Sequence, residues 1–328
     1  MSVLIVTEQR GGEWHKMSWE AIAAGQQIAQ LLETEARAAV VGSGVESLGA
    51  AVAKYKVSEV VLADHELLQN YTPDGFSLAL QQVVETLQPQ VVVFPHTYQV
   101  RDFAPKLATS LGKPFLSDVV GVRRENGGLV FVRQLFQGKL NADVTAASTA
   151  PHFVSVQAGA FRADAAESAA TPSTVRSVDV AIEASQIRSR PGEPFRESKG
   201  EVDLSSAPII VSVGRGIKDP ENIPMVEELA RLMGGEIAAS RPICDNGWLP
   251  LERQIGSSGQ TVAPKLYLAL GISGAIQHMV GMKGSRTIVA INKDETAPIF
   301  EIADYGIVGD LFEVVPALLA ALKESSGD

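Results

Sequence analysis

Residues 265–278 read Lys265-Leu266-Tyr267-Leu268-Ala269-Leu270-Gly271-Ile272-Ser273-Gly274-Ala275-Ile276-Gln277-His278. The apolar run over Lys265 to Leu270 predicts a strand, the glycines that follow predict a tight turn, and the pattern after Gly274 predicts the start of a helix. In such a turn, successive backbone N–H groups and the helix dipole can receive a pyrophosphate. The same spacing also serves tight strand-to-helix packing, so the segment alone leaves both readings open.

Working outward, the same arrangement recurs across the last third of the chain. Ile209-Ile210-Val211-Ser212-Val213 reads as a strand running into Gly214-Arg215-Gly216. Asp219-Pro220 then opens a helix whose Ile223, Val226, Ala230 and Met233 face one way, and Gly234-Gly235 ends it. Further strands are expected at Glu236 to Ala239 and Thr287 to Ile291. After these strands come Ser240-Arg241, Gln254-Ile255-Gly256-Ser257-Ser258-Gly259-Gln260, Ile291-Asn292-Lys293-Asp294 and Ala303-Asp304-Tyr305-Gly306-Ile307-Val308-Gly309-Asp310. Loops at the carboxyl ends of parallel strands are where open α/β sheets bind ligands, which predicts a nucleotide crevice in this half.

The first half alternates short apolar runs (Val3 to Val6, Ala38 to Val41, Glu59 to Leu62, Val91 to Phe94) with stretches long enough for crossover helices. From Thr72, a capping residue followed by Pro73, the residues Phe76, Leu80, Val83, Val84 and Leu87 make one helical stripe. This alternation argues for a parallel sheet. Between Pro114 and Phe161 the pattern becomes β-rich, with segments at Asp118 to Val122, Leu129 to Leu135 and His152 to Gln157 and a hairpin signal at Glu125-Asn126-Gly127-Gly128. We expect an antiparallel extension here. From Arg162 to Pro208 apolar density falls, and only Val178-Asp179-Val180-Ala181-Ile182 alternates like a strand; this reads as a linker, with the domain boundary near residue 205. The fold expected is therefore α/β in two domains, each a mostly parallel sheet flanked by helices: residues 1–205, and residues 206–328 as a dinucleotide-binding fold.

Composition narrows the function classes. The 328 residues carry a formal net charge of −10, which disfavours nucleic acid as a partner. No apolar run approaches the roughly 18 residues of a membrane span, and the opening Met1 to Val6 has neither a basic region nor a cleavage site, so a cytoplasmic location and no membrane insertion are expected. Cys244 is the one cysteine, and His15, His65, His96, His152 and His278 lack ligand spacing, so neither an internal disulfide nor a metal site is expected. With no nucleophile elbow and no Walker lysine loop, the chemistry has to come from a bound cofactor.

Taken together and in order, the segments from Ser240 to Leu311 resemble the flavin-binding domain of the electron-transfer flavoprotein α subunit, and a weaker similarity extends over the first half, chiefly at Arg101-Asp102-Phe103-Ala104-Pro105-Lys106-Leu107-Ala108. The resemblance implies FAD as cofactor. It sets Ser273, Gly274, Ala275, Ile276, Gln277 and His278 against the dinucleotide, with His278 near the flavin pyrimidine carbonyl in a role that tunes potential. Arg241, after Ser240, is implied to lie over the isoalloxazine, where a permanent positive charge offsets the electron added to the ring. Arg215, Asn292, Asp310 and Leu311 are implied on the phosphate and adenosine side. Ile255-Gly256-Ser257-Ser258 departs from the commoner family pattern, which has Gln and Thr where this chain has Ser257 and Ser258; a hydroxyl for flavin N5 is kept at Ser258.

The function so implied is an FAD-containing electron carrier, the α subunit of a heterodimer with an electron-transfer flavoprotein β subunit. It would shuttle electrons from flavoprotein dehydrogenases to an acceptor oxidoreductase, and would be an electron-transfer protein rather than a stand-alone enzyme. The alternative from the same fold is an NAD-dependent enzyme with a deoxyhypusine-synthase-like dinucleotide domain, and a third, non-redox reading is a nucleotide-sensing scaffold. A catalytic lysine or acid–base pair would favour the NAD reading.

Overall fold

The computed structural model describes residues 2–136, 138–192, 204 and 207–326. It forms two compact units: the first comprises Met1–Leu135 and Lys139–Pro194, and the body of the second is Phe195–Asp328. The end of the expected linker, including the boundary at residue 205, lies outside the described residues.

In the first unit the chain runs Ser2–Val6 (β1), a short hairpin Gln9–Arg10 and Glu13–Trp14 (β2, β3), Met17–Leu31 (α1), Glu35–Gly42 (β4), Glu46–Val52 (α2), Glu59–Asp64 (β5), Pro73–Leu87 (α3), Val91–Pro95 (β6) and Tyr98–Ser110 (α4). Then follow Phe115–Glu125 (β7), Gly128–Leu135 (β8), Leu140–Val144 (β9), His152–Val156 (β10) and Thr174–Ser177 (β11). They build one sheet in the order β11-β5-β4-β1-β6-β10-β7-β8-β9. Its central strands are fully buried because α1 and α2 cover one face while α3 and α4 cover the other, which is why they read as continuous apolar runs. Thr72 caps α3 as its sequence predicts, its hydroxyl accepting the Gly75 N–H.

The antiparallel extension is real but smaller than expected. β7, β8 and β9 pair antiparallel, and the β7–β8 turn has positive φ at Asn126 (51°) and Gly127 (82°), the geometry a two-residue hairpin loop requires. β10, in contrast, inserts parallel between β6 and β7 and belongs to the main sheet. The late strand is also displaced. Val178 to Ile182 form no ladder; Val178, Val180 and Ile182 turn inward onto the α3–α4 core, and the paired strand is β11, parallel to β5. An extended segment with alternate side chains buried has the same period as a strand, so periodicity cannot tell the two apart.

The second unit runs Ile209–Val213 (β12), Ile223–Leu232 (α5), Glu236–Ala239 (β13), Arg241–Asp245 (α6), Leu266–Leu270 (β14), Ile276–Met279 (α7), Ile288–Asn292 (β15), Tyr305–Val308 (β16) and Leu311–Ser326 (α8). Its all-parallel sheet has the order β13-β12-β14-β15-β16. After β13 the chain crosses back to lay β14 on the other side of β12, so the order reverses between β12 and β14 and opens a crevice at their carboxyl ends. In the sequence Pro316 suggests that the last helix starts regularly nearer Val315, yet α8 begins at Leu311 and holds Pro316 inside it. The Asp310 side chain accepts the Phe312 N–H at 3.0 Å, and its carbonyl accepts from Glu313 and Val314, so the first turn is already closed before the proline.

Candidate functional site

The loops after β12 and β14 are knitted together at the reversal. Gly214 N–H donates to Leu270 O at 2.8 Å and Gly216 N–H to Gly271 O at 3.0 Å. The approach is so close that a Cβ on Gly216 would stand 2.6 Å from the Gly271 Cα. Glycine at these positions lets two backbones meet under the crevice floor.

The crevice measures about 830 Å³, within the roughly 300–1,000 Å³ typical of cofactor clefts. It gathers residues from every segment singled out in the sequence: Arg215 after β12, Ser240 and Arg241 after β13, Ile255, Gly256, Ser257 and Ser258 from the long loop, Ser273, Ala275, Gln277 and His278 after β14, Asn292 after β15, and Asp310 and Leu311 before α8. Gly274 and Ile276 stand apart from its lining. Gly274, at φ 86°, packs its backbone against Ile299, and Ile276 faces outward with 44% of its surface exposed.

Several of these side chains already have partners. Arg241 is exposed, with Nε 3.2 Å from the Asp245 carboxylate one turn along α6. Ser258 Oγ accepts from the Gln254 amide at 3.0 Å, which leaves its own O–H free to donate. Asn292 ties two loops together, donating to Ile272 O at 2.9 Å and accepting the Asp294 N–H at 3.0 Å. The Phe312 N–H, helped by the nearby Lys218 ammonium, holds the Asp310 carboxyl below the usual carboxylate range.

His278 is placed by close packing. Gly256, at φ 139°, lets the long loop press onto α7, with Ser257 N–H donating to Gln277 O at 2.7 Å and Gly281 seated directly against Gly256. Ile255 N–H is fastened to Ala239 O at 2.9 Å, so the loop is braced between β13 and α7. The imidazole is 6% exposed, and its Nε2 lies 2.9 Å from the Tyr267 hydroxyl, itself fully buried. Burial pushes the ring's pKa down to about 4, which the nearby Ile255 carbonyl only partly opposes, so it is neutral at physiological pH. Nδ1 is buried and forms no hydrogen bond of acceptable geometry.

The helix after the glycine turn is present but short. α7 spans four residues, too few for a substantial macrodipole, so an anion here depends on individual N–H groups and on nearby cations. Two such cations escape the sequence reading. Lys218 and Lys293 line the crevice beside Arg215, and the Lys218 ammonium stands 3.7 Å from Asp310 and 4.6 Å above the Phe312 ring. Lys293 lies inside a segment already singled out; Lys218 meets Asp310 only through the fold.

These features suit a flavin dinucleotide: glycines at the closest backbone approaches, cations at one part of the crevice, and at another a buried ring nitrogen with no partner. Such a crevice at the reversal of a parallel sheet defines a dinucleotide-binding α/β protein. A family model described as the electron transfer flavoprotein FAD-binding domain matches residues 203–283, and one described as the electron transfer flavoprotein domain matches residues 3–183. The electron transfer flavoprotein subunit alpha of Bacillus subtilis (strain 168) is 40% identical over 98% of this chain and 97% of its own. Protein FixB of Clostridium saccharobutylicum is 38% identical over 98% and 96%. The acryloyl-CoA reductase electron transfer subunit beta of Anaerotignum propionicum is 35% identical over 98% and 95%. This chain belongs to the electron transfer flavoprotein family, among its α subunits. The NAD-dependent alternative finds no support in these similarities.

Proposed function

We propose that the crevice at the carboxyl ends of β12 to β15 holds the FAD, and that this chain pairs with a β subunit to take electrons from flavoprotein dehydrogenases and pass them to an acceptor oxidoreductase in the cytoplasm. The observation that carries the site is the convergence on one crevice of six separate segments of the chain. Bound FAD supplies reversible one- and two-electron chemistry. The chain's own residues set its terms. Arg215, Lys218 and Lys293 bring positive charge to the pyrophosphate, and Arg241 brings it to the flavin ring. Ser258 presents the O–H that Gln254 leaves free, and His278 adds a neutral polar edge. A relative named as the acryloyl-CoA reductase electron transfer subunit beta supports redox partners that act on CoA thioesters.

The test is the complex itself. Co-expressed with its β subunit, the chain is expected to give a yellow heterodimer that releases FAD on denaturation. A correctly assembled, colourless heterodimer that cannot be reconstituted with FAD would falsify the reading. Exchange of electrons with a purified acyl-CoA dehydrogenase checks the partner class, and cell fractionation checks the location.

A further inference from the structure

Tyr267 is the largest fully buried side chain among the described residues, and it stands in the middle strand of the sheet, β14. A buried phenol keeps its proton, because burial raises its pKa far above the ordinary tyrosine value, and its O–H needs an acceptor. Two groups are near. Ser212 on β12 approaches the phenol, but its hydroxyl forms no hydrogen bond of acceptable geometry. His278 Nε2, at 2.9 Å, is the partner that does.

The hydrogen on this bond has only two places to be. If Nε2 carried it and donated to the phenol, the phenol's own hydrogen would be left in the core with only the ill-placed Ser212. If the phenol donates, Nε2 is bare and a neutral imidazole must carry its hydrogen on Nδ1. The second arrangement satisfies the phenol, whose one well-placed acceptor is Nε2. It leaves one donor, Nδ1–H, unpaired on a residue that lines the crevice.

We propose that Tyr267 is a positioning residue: by donating to Nε2 it fixes His278 as the Nδ1–H tautomer, so that a neutral donor, rather than an acceptor lone pair, is offered to the flavin ring. The inference rests on the FAD site proposed above. Tyr267 itself touches no cofactor in this arrangement; it acts through His278, as outer hydrogen-bond partners orient metal-bound histidines. Reduction places negative charge on the flavin, so a fixed N–H donor stabilises the reduced ring, whereas a bare nitrogen in its place opposes it.

The test uses the full chain, ¹⁵N-labelled at histidine, in complex with its β subunit and FAD, with the His278 signals assigned by their loss in His278→Asn. In the unsubstituted protein Nδ1 is expected to show the shift of a protonated ring nitrogen and Nε2 that of a bare one, unchanged from pH 8 to pH 6. A protonated Nε2 there overturns the proposal without any substitution. Tyr267→Phe keeps the ring volume and removes the donor. It is expected to give mixed tautomers and a threefold weaker stabilisation of the reduced ring, a fall of about 28 mV at 59 mV per tenfold for a one-electron couple. A Tyr267→Phe complex that keeps both tautomer and potential overturns the proposal, since a purely packing role would move stability alone. A complex that holds no FAD defeats the site reading instead, and the tautomer remains measurable in it.

Discussion

Arg241 holds its guanidinium 3.2 Å from Asp245 while 66% of its side chain stays exposed, so its charge at the crevice is shared with a carboxylate and screened by water. Arg241→Ala should lower the first one-electron potential of the bound flavin by tens of millivolts, and Asp245→Asn should raise it by less, as spectroelectrochemical titration of the two variants will show. An unchanged potential in Arg241→Ala with FAD still bound returns the arginine to a surface role. The long loop gives a sharper comparison. Because Gln254 donates to Ser258, the Ser258 hydrogen is already directed away from its nearest neighbour; Ser258→Ala should shift the potentials by the equivalent of roughly 0.5–1.5 kcal/mol while FAD stays bound. Ser257→Ala should do less, and the reverse order would place the other hydroxyl at the ring. Far from the crevice, Glu20 in α1 is 3% exposed and accepts the Gly159 N–H at 2.7 Å. Burial raises its carboxyl from 4.5 to about 7, against the opposing pull of that N–H and of Lys16. Between those values the folded chain keeps a proton that the unfolded chain has released, so stability falls as pH rises through the window. Glu20→Gln should therefore be more stable than the parent at pH 8, by at most about 3 kcal/mol, with the gain vanishing toward pH 4.5. Urea denaturation at the two pH values measures this, and an equal gain at both would mean that the carboxyl ionises normally.

At the scale of elements, the crevice depends on how nearly the loops after β12 and β14 touch. A Cβ on Gly216 would stand 2.6 Å from the Gly271 Cα, and one on Gly214 would stand 2.5 Å from the Gly271 carbonyl. These neighbours are backbone and cannot swing aside. Gly216→Ala should force the two loops apart and weaken FAD binding at least tenfold, while the strands beneath, whose ladders end at Val213 and Leu270, keep their register. Fluorescence titration of the apoprotein with FAD, set beside circular dichroism, separates the two effects. Normal affinity in this variant would show that the floor of the crevice tolerates movement. The elements themselves were legible to different degrees. The strands β12 to β15 follow from apolar runs ended by glycine or polar residues, and α3 follows from its cap and stripe, since those signals are local; β16, exposed along its length, carries no such run and was not expected. The glycine turn announces α7 without fixing its length, and here the chain leaves the helical path after one turn to bring Gly281 against Gly256.

For the whole molecule, separate family models matching residues 3–183 and 203–283 agree with two compact units that each own a sheet and a core. We expect the first unit to carry most of the stable contact with the β subunit. Residues 1–205, expressed without the rest, should then bind the β subunit with most of the full-length affinity, measured by calorimetry. Binding that stays wholly with residues 206–328 would reverse this division of labour.

What the sequence determined by itself is what adjacent residues can signal: two runs of α/β units, an acidic chain without metal-ligand spacing, and polar or glycine-rich segments placed just after strands, which a parallel sheet must bring to one edge. What the tertiary structure decided is everything that depends on which strand lies beside which. Register set β10 between β6 and β7, where the pattern of a β-rich stretch suggested a hairpin extension. Chain crossing brought Lys218 to Asp310, 3.7 Å apart although they are far separated in sequence. The buried phenol of Tyr267 reads in the sequence as one more strand residue; only the packing of α7 onto β14 sets it 2.9 Å from His278, because hydrogen-bond partners across a core are chosen by distance and geometry, of which a linear pattern holds no record.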